Sequence, residues 1–501
     1  MSIGGVKQRL LNEIISFLFG EPAAIVAEAI ERCGPCPIGL VAQVTNFPLE
    51  DAKTVALSMY LHGVVNITRE GSQTFLSISS LPAFILSAPS ILIDQIEEQY
   101  QKPSYCETLK LILFHGIIEY TPPNNDKSKK KKVKAISPQI DLPDGFQETV
   151  DELIEIGILS RRVVECESFS TCDVFSLMRR IENLNLSKKR TNNANSTQDL
   201  GTNRPSESAK SMKITDNTYS LTINWNGVAS FLRGRYLVQF SQTLPNLNGT
   251  KYMKLIECII GLSHCGDYTN FQRMMSKDDD NIRTDVVSYP HLEYSSLSRV
   301  YTPSQDDDLF TLLDTISESQ MNFMCSRDGT YWELTTPKSI RAFQIQHIES
   351  FLKQDFSAYH CQCFNSLRKL GVADTHQIEG DALLSEKDAR STMYALCRFG
   401  FAQMQSIPRS SADKMINPKS IFAFRYDEEA AIEGYRFIIG EHARRYLSKI
   451  SELHKEYEQN EQMEAGNMTA AKANEKKEKH LYYFNASYSK ALSAFILFAE
   501  M

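Results

Sequence analysis

Long apolar runs are scarce in this 501-residue sequence. The longest near its end, Ala491 to Ala499, falls well short of the roughly 20 residues that a bilayer-spanning helix needs. The opening stretch, Met1 to Gly20, is amphipathic and lacks the basic flank and small-residue cleavage site of a secretory signal. A soluble protein without membrane contact is expected. Positive charge is also in deficit, with 54 Lys and Arg against 61 Asp and Glu for a formal charge of -7. Such a balance excludes a protein that grips nucleic acid over its whole surface, and leaves local contacts or contacts arranged by a larger assembly. The sequence also lacks a phosphate-binding glycine loop, a nucleophile elbow and a spaced carboxylate set. No enzyme, no cofactor and no small-molecule substrate are therefore expected.

Eleven cysteines are scattered without a disulfide-like framework, and read as reduced thiols of the cytosol or nucleus. Cys33-Gly34-Pro35-Cys36 has dithiol spacing. Thioredoxin-like chemistry needs a strand entering that motif and a helix leaving it, so that the helix start lowers the first thiol's pKa. Here a helical pattern, Ala23 to Arg32, enters and Pro37 follows at once, so the motif reads as a tight turn between helices. Zinc is not expected either: one pair supplies two of the usual four ligands. Cys361 and Cys363 sit in a helical pattern where their positions diverge, and His264-Cys265 makes no second pair. His62 and His115 each precede a glycine and read as helix-end residues facing the carbonyl end of the dipole.

Hydrophobic residues make up 42% of the chain, enough for ordinary globular cores, and the length suggests about three to five domains. Two segments read as linkers. Thr121 to Pro143 is proline-bounded and lysine-rich; Ser187 to Met212 carries too few large apolar residues to order itself. Asp278 to Asp285 and Ser304 to Asp308 read as acidic loops.

Between them one junction recurs: a helical pattern ends in glycine and a β-prone run follows. It occurs at Ala52 to Leu61 with Gly63 and Val64 to Ile67, at Phe146 to Ile156 with Gly157 and Ile158-Leu159, and at Glu386 to Phe399 with Gly400 and Phe401 to Met404. Glycine tolerates the left-handed conformation that closes a helix. Shorter helices precede the first and last junctions, Ala23 to Arg32 with Ile38 to Thr45, and Tyr359 to Leu370 with His376 to Leu384. Three helices and a two-stranded wing form the winged-helix plan. The predicted fold class is mainly α with small β wings: tandem winged helices at 8–80, 81–165 (with a basic insert at 121–143), 214–335 and 356–426, with the linker 187–212, then a C-terminal helical hairpin at 427–501. The wings are predicted at Val64–Thr68 with Thr74–Ile78, and at Phe401–Ile407 with Ile421–Arg425. The third block is predicted to open on a strand, Ser220 to Asn224, and to close on a hairpin, Met321–Cys325 with Thr330–Leu334.

Candidate DNA contacts are wing and linker cations. Arg69 falls in the first wing; Arg161 and Arg162 follow the second glycine junction; Arg409, Lys414 and Lys419 lie in the last wing loop. Lys129, Lys130, Lys131 and Lys132, with Lys134 beyond Val133, form a basic run suited to nuclear import or backbone contact. The first recognition helix carries Glu50 and Asp51 beside a single Lys53, where base readout favours Arg, Lys, Asn or Gln, so protein contact or weak backbone contact is expected.

The order of these features resembles the large winged-helix subunit of eukaryotic RNA polymerase III, itself related to the large subunit of TFIIE. Four stretches carry the likeness: Ala24 to Glu28 through Val64-Val65; Ile91 to Tyr100 with Leu111 to Gly116; Leu221 to Asn224 with Phe231 to Arg233; and Ile340 to Tyr426, including Leu396-Cys397-Arg398-Phe399-Gly400-Phe401 and Ser406-Ile407-Pro408-Arg409. The resemblance implies a non-catalytic nuclear subunit acting in initiation, in polymerase recruitment and promoter opening at transfer RNA, 5S ribosomal RNA and other small genes. Its implied partners are other polymerase III subunits of the clamp-bound subcomplex, and DNA without strong sequence preference. A TFIIE-like general factor would share the winged helices but usually carries a zinc ribbon, for which paired cysteine doublets are missing. A helical scaffold with one terminal winged helix would not place a wing as early as Val64.

Overall fold

The computed structural model describes residues 4–70, 73–121, 134–135, 142–143, 145–163, 219–247, 249–262, 291–303, 307–326, 331–407, 421–463 and 468–501. The protein is mainly helical, with small antiparallel sheets. It divides into two compact units, one of residues 18–82 and 96–224, the other of residues 1–17, 83–95 and 225–501. Among the described residues no helix is long and apolar enough to cross a membrane.

In the unit of residues 18–82 and 96–224, three helices, Glu21–Cys33, Ile38–Thr45 and Leu49–Leu61, precede a hairpin of Val65–Glu70 and Gln73–Ile78. Val26 and Ile30 of the first helix, Val41 of the second, Ala52 and Met59 of the third, and Val64, Val65 and Leu76 of the hairpin are all buried. Ala and Val at the helix crossings let the backbones approach, and the bulkier side chains fill what remains. The hairpin register sets Val65 opposite Ile78 and Arg69 opposite Thr74. Cys36, between the first two helices, makes an isolated antiparallel bridge to Leu76.

Further along, the helices Pro103–His115 and Phe146–Glu155 cover a four-stranded sheet of Ile118–Thr121, Lys134–Ala135, Leu159–Val163 and Tyr219–Ile223. Here the structure departs from the sequence reading. The strand expected to open the third block pairs instead with Leu159–Val163 on one side, Leu159 opposite Ile223, and with Ile118–Thr121 on the other, Ile118 opposite Leu221. Leu221 and Ile223 are buried with Ile118, Leu159 and Leu153, and burial of that apolar face fixes the pairing.

The other unit is built around the helix Trp225–Thr243, whose buried residues fall on nearly all sides, including Leu232, Tyr236, Leu237 and Phe240. A helix buried on nearly all sides is a central one, even though this one also buries Arg233 and Arg235. Helices Thr250–Leu262 and Leu309–Ser317 and a sheet of His291–Glu293, Met324–Ser326 and Tyr331–Leu334 follow. The helix Thr336–Phe351 then runs into a π-turn, Leu352–Phe356. Next come the helices Ala358–Leu370, Thr375–Ala382 and Glu386–Arg398, and a sheet of Val372–Ala373, Gln403–Ile407 and Ile421–Arg425. Two long antiparallel helices, Glu428–Met463 and Met468–Ala499, end the chain. Buried Phe84 meets Phe495 edge-on with ring centroids 5.6 Å apart, and Ser87 and Tyr488 share a 2.8 Å hydroxyl hydrogen bond, so 83–95 packs along the last helix.

One connection pattern recurs four times: a helix, a short strand or bridge, helical structure, then two strands. The first strand always pairs with the third, which pairs with the second. This order holds for Cys36 with the first hairpin, for Ile118–Thr121, Tyr219–Ile223 and Leu159–Val163, for His291–Glu293, Tyr331–Leu334 and Met324–Ser326, and for Val372–Ala373, Ile421–Arg425 and Gln403–Ile407.

The three glycine junctions close alike. Gly63, Gly157 and Gly400 have φ of 76°, 88° and 86°. Their N–H groups donate to Tyr60, Ile154 and Cys397, and those of the next residues, Val64, Ile158 and Phe401, donate to Met59, Leu153 and Leu396. That pair of bonds is a complete Schellman motif, which satisfies helix-end carbonyls and aims the chain into its strand.

Candidate nucleic-acid interface

Whether these blocks can meet nucleic acid depends on what the helix before each hairpin shows to solvent. The helix Leu49–Leu61 exposes Leu49, Glu50, Asp51 and Thr54, and its Lys53 is held by Glu50 at 2.8 Å. The helix Phe146–Glu155 exposes Glu148, Asp151, Glu152 and Glu155. These acids fall at i, i+3, i+4 and i+7, one face of a helix. Phosphate would be repelled from both faces.

The helix before the last hairpin, Glu386–Arg398, differs. Lys387, Arg390, Ser391, Tyr394 and Arg398 are exposed along one side, while Ala389, Thr392, Met393 and Leu396 face the core. Tyr394 is 49% exposed yet held at ring-contact distance, 6.0 Å, over Phe424 of the adjoining sheet. Arg390 pairs with Glu386 one turn back. Lys387 and Arg398 make no ion pair among the described residues. Glu386 and Asp388 occupy the first turn, where they complement the helix dipole beside the Ser385 cap. Cations flanking an aromatic side chain match the chemistry of phosphate contact with base stacking.

The candidates drawn from the sequence fall out differently. Arg69 lies on the first hairpin, as expected. Arg161 and Arg162 lie on the strand Leu159–Val163, opposite Leu221 and Ser220. Arg161 is already partnered: it pairs with Asp151 and lies 5.9 Å from the Tyr120 ring centroid. Burial pushes the Tyr120 hydroxyl above its ordinary pKa, opposed by the nearby Arg161 charge. Lys134 lies in a two-residue strand opposite Thr121. Lys129, Lys130, Lys131, Lys132, Arg409, Lys414 and Lys419 lie outside the described residues, as do the linker 187–212 and the acidic segment 278–285.

Lys102, not singled out from the sequence, donates to Glu152 at 2.9 Å and to Tyr105 at 3.2 Å. Its hydrogen bond to Glu152 raises its pKa, and the same contact lowers that of Glu152. The cation thus screens part of the acidic helix face. The exposed side of Glu386–Arg398 was also missed, although positions 387, 390, 394 and 398 repeat at helical spacing.

Among the described residues no three of His, Cys, Asp and Glu gather as a metal site would require. The CGPC segment forms a turn after the helix Glu21–Cys33, with Gly34 at φ 69°. No protein-family model and no curated protein matches this sequence.

Proposed function

We propose that this chain is a non-catalytic subunit of RNA polymerase III, acting in the nucleus during initiation through tandem winged helices. On this reading it helps recruit the polymerase and open promoters of transfer RNA, 5S ribosomal RNA and other small genes. The observation that carries the proposal is the four-fold connection pattern with first–third–second strand order, which is the plan of a winged helix. It supports the resemblance read along 24–65, 91–116, 221–233 and 340–426. The first two blocks, with acidic helix faces, serve protein partners within the assembly. The last, with Lys387, Arg390, Tyr394 and Arg398 outward, serves the nucleic acid.

The test is purification of the tagged chain from its own cells, with mass spectrometric identification of its stoichiometric partners. Polymerase III subunits are the expected result. Co-purification with a polymerase II initiation factor instead would replace this reading with that of a TFIIE-like factor.

A further inference from the structure

The one motif that neither the fold nor the proposed function absorbs is Cys33-Gly34-Pro35-Cys36. Cys33 is the last residue of the helix Glu21–Cys33 and is exposed; Cys36 is buried. Gly34, at φ 69°, turns the chain sharply between them, and its N–H donates to the carbonyl of Glu31 at 3.4 Å. Cys36 is pinned by two main-chain bonds: its N–H donates to Leu76 at 3.1 Å, and the N–H of Leu76 donates back at 2.8 Å. The two cysteines thus stand at the two ends of one tight turn, three residues apart, with Gly34 and Pro35 between them. Cys33 can be reached from solvent, and Cys36 is buried and held by its main-chain bridge to the hairpin.

We infer that Cys33 and Cys36 form a reversible oxidation site, closing a disulfide in response to a hydroperoxide. The Cys33 sulfur attacks the terminal peroxide oxygen, the O–O bond breaks, and the leaving oxygen takes the Cys33 proton, giving a sulfenic acid and an alcohol, or water where the oxidant is hydrogen peroxide. The Cys36 sulfur then attacks the Cys33 sulfur, the S–O bond breaks, and water leaves with the Cys36 proton. Two electrons pass from the thiol pair to the peroxide, and a dithiol reductant reverses the change.

This is a modification and not thioredoxin-like catalysis. Cys33 closes a helix, whereas catalytic dithiols sit at a helix start that activates the first thiol. Burial and the neighbouring Cys33 raise the pKa of Cys36. The reaction is therefore stoichiometric and slow. Its product ties the end of the first helix to the residue that bridges the hairpin at Leu76. The inference needs only the turn and its two thiols, so it stands or falls apart from the polymerase reading.

The experiment treats the full chain with hydrogen peroxide in the presence of glutathione, followed by alkylation, digestion and mass spectrometry. The peptide holding both cysteines should lose the mass of two hydrogens, and dithiothreitol should restore it. Because the second thiol is already in place, this loss should run on the order of tenfold or more faster than glutathione addition at Cys325, which is also exposed. In Cys36→Ser, Cys33 should carry glutathione or a sulfinic acid instead. Should that variant not fold, Cys33→Ser, at an exposed position, provides the same control: Cys36 should then stay a thiol. Cys33 collecting glutathione or sulfinic acid in the wild-type chain, with Cys36 still open to alkylation after unfolding, would overturn the inference.

Discussion

A helix that must turn at once into a strand leaves carbonyls to satisfy, and a residue with positive φ does so in one step. Gly157 isolates this cost, since a Cβ built on it meets nothing within 4 Å. Gly157→Ala should destabilise the protein by about 1–2 kcal/mol through backbone conformation alone, read as a lower denaturant midpoint at unchanged slope; no loss would mean the junction relaxes freely. Gly116 is a harder case, because its Cβ would stand 2.5 Å from the carbonyl oxygen of Leu61. A second residue-scale prediction concerns His347, whose ring lies 4.7 Å from Phe343 and 6.4 Å from Phe498. Burial lowers its pKa below the ordinary 6.5. The unfolded chain then takes up the proton at higher pH than the folded one. Its stabilising contribution is complete above pH 6.5 and is lost as pH falls below that value towards the folded pKa. His347→Phe should flatten this part of the stability–pH curve, measured by urea unfolding at successive pH values; an unchanged slope would place the acid sensitivity elsewhere, as at His62, which burial also shifts downward.

At the level of elements, the long helix Glu428–Met463 approaches the last glycine junction backbone to backbone. A Cβ at Gly434 would lie 2.7 Å from the Phe399 oxygen and 3.1 Å from the Gly400 carbonyl carbon. Gly434→Ala should therefore cost about 2 kcal/mol or more by prising the helix from the junction. Gly380, inside the helix Thr375–Ala382 with nothing within 4 Å, should respond oppositely, with Gly380→Ala raising stability by roughly 0.5–1 kcal/mol. Thermal unfolding of the two variants separates close packing from helix propensity. The helices and the three glycine junctions were legible because their signals are local: periodicity, and one residue type at one conformation. The strand Tyr219–Ile223 was legible as a strand but not in its pairing. Its partner Leu159–Val163 lies across residues 164–218, and no turn signal spans such an interval. Cys36 and Val372–Ala373 escaped because strands of one or two residues have no period to read. The candidate site was less legible than the fold. Arg161 has the right residue type in the right strand, but Asp151, the sixth residue of the acidic helix, already pairs with it, and a sequence does not reveal which cations are already paired.

For the molecule as a whole the governing quantity is its charge of -7, which opposes any general attraction to DNA. The acidic faces of Leu49–Leu61 and Phe146–Glu155 add local repulsion, so nucleic acid can approach only where cations are outward. Among the described residues, the helix Glu386–Arg398 offers such a place. The isolated chain should accordingly bind duplex DNA weakly, with strong salt dependence and little preference among sequences. Each phosphate contact lowers the slope of log affinity against log salt by about 0.9 on B-form DNA. Replacing Lys387, Arg390 and Arg398 together by glutamine should thus flatten that slope by about 2–3 if all three reach phosphates, while Tyr394→Ala should weaken binding to single strands more than its salt dependence. Arg390→Gln alone should do less, since Glu386 already occupies that guanidinium. Replacing Lys53 by glutamine should leave the slope unchanged, because Glu50 and Asp51 beside it keep phosphate away. Anisotropy titrations over a range of salt, on promoter and scrambled duplexes, measure all four variants. On the proposed reading, the polymerase would hold this face beside DNA already bound, so weak intrinsic affinity would suffice. Tight binding that favours one sequence at physiological salt would instead mark a sequence-specific regulator, and the subunit reading would have to be given up.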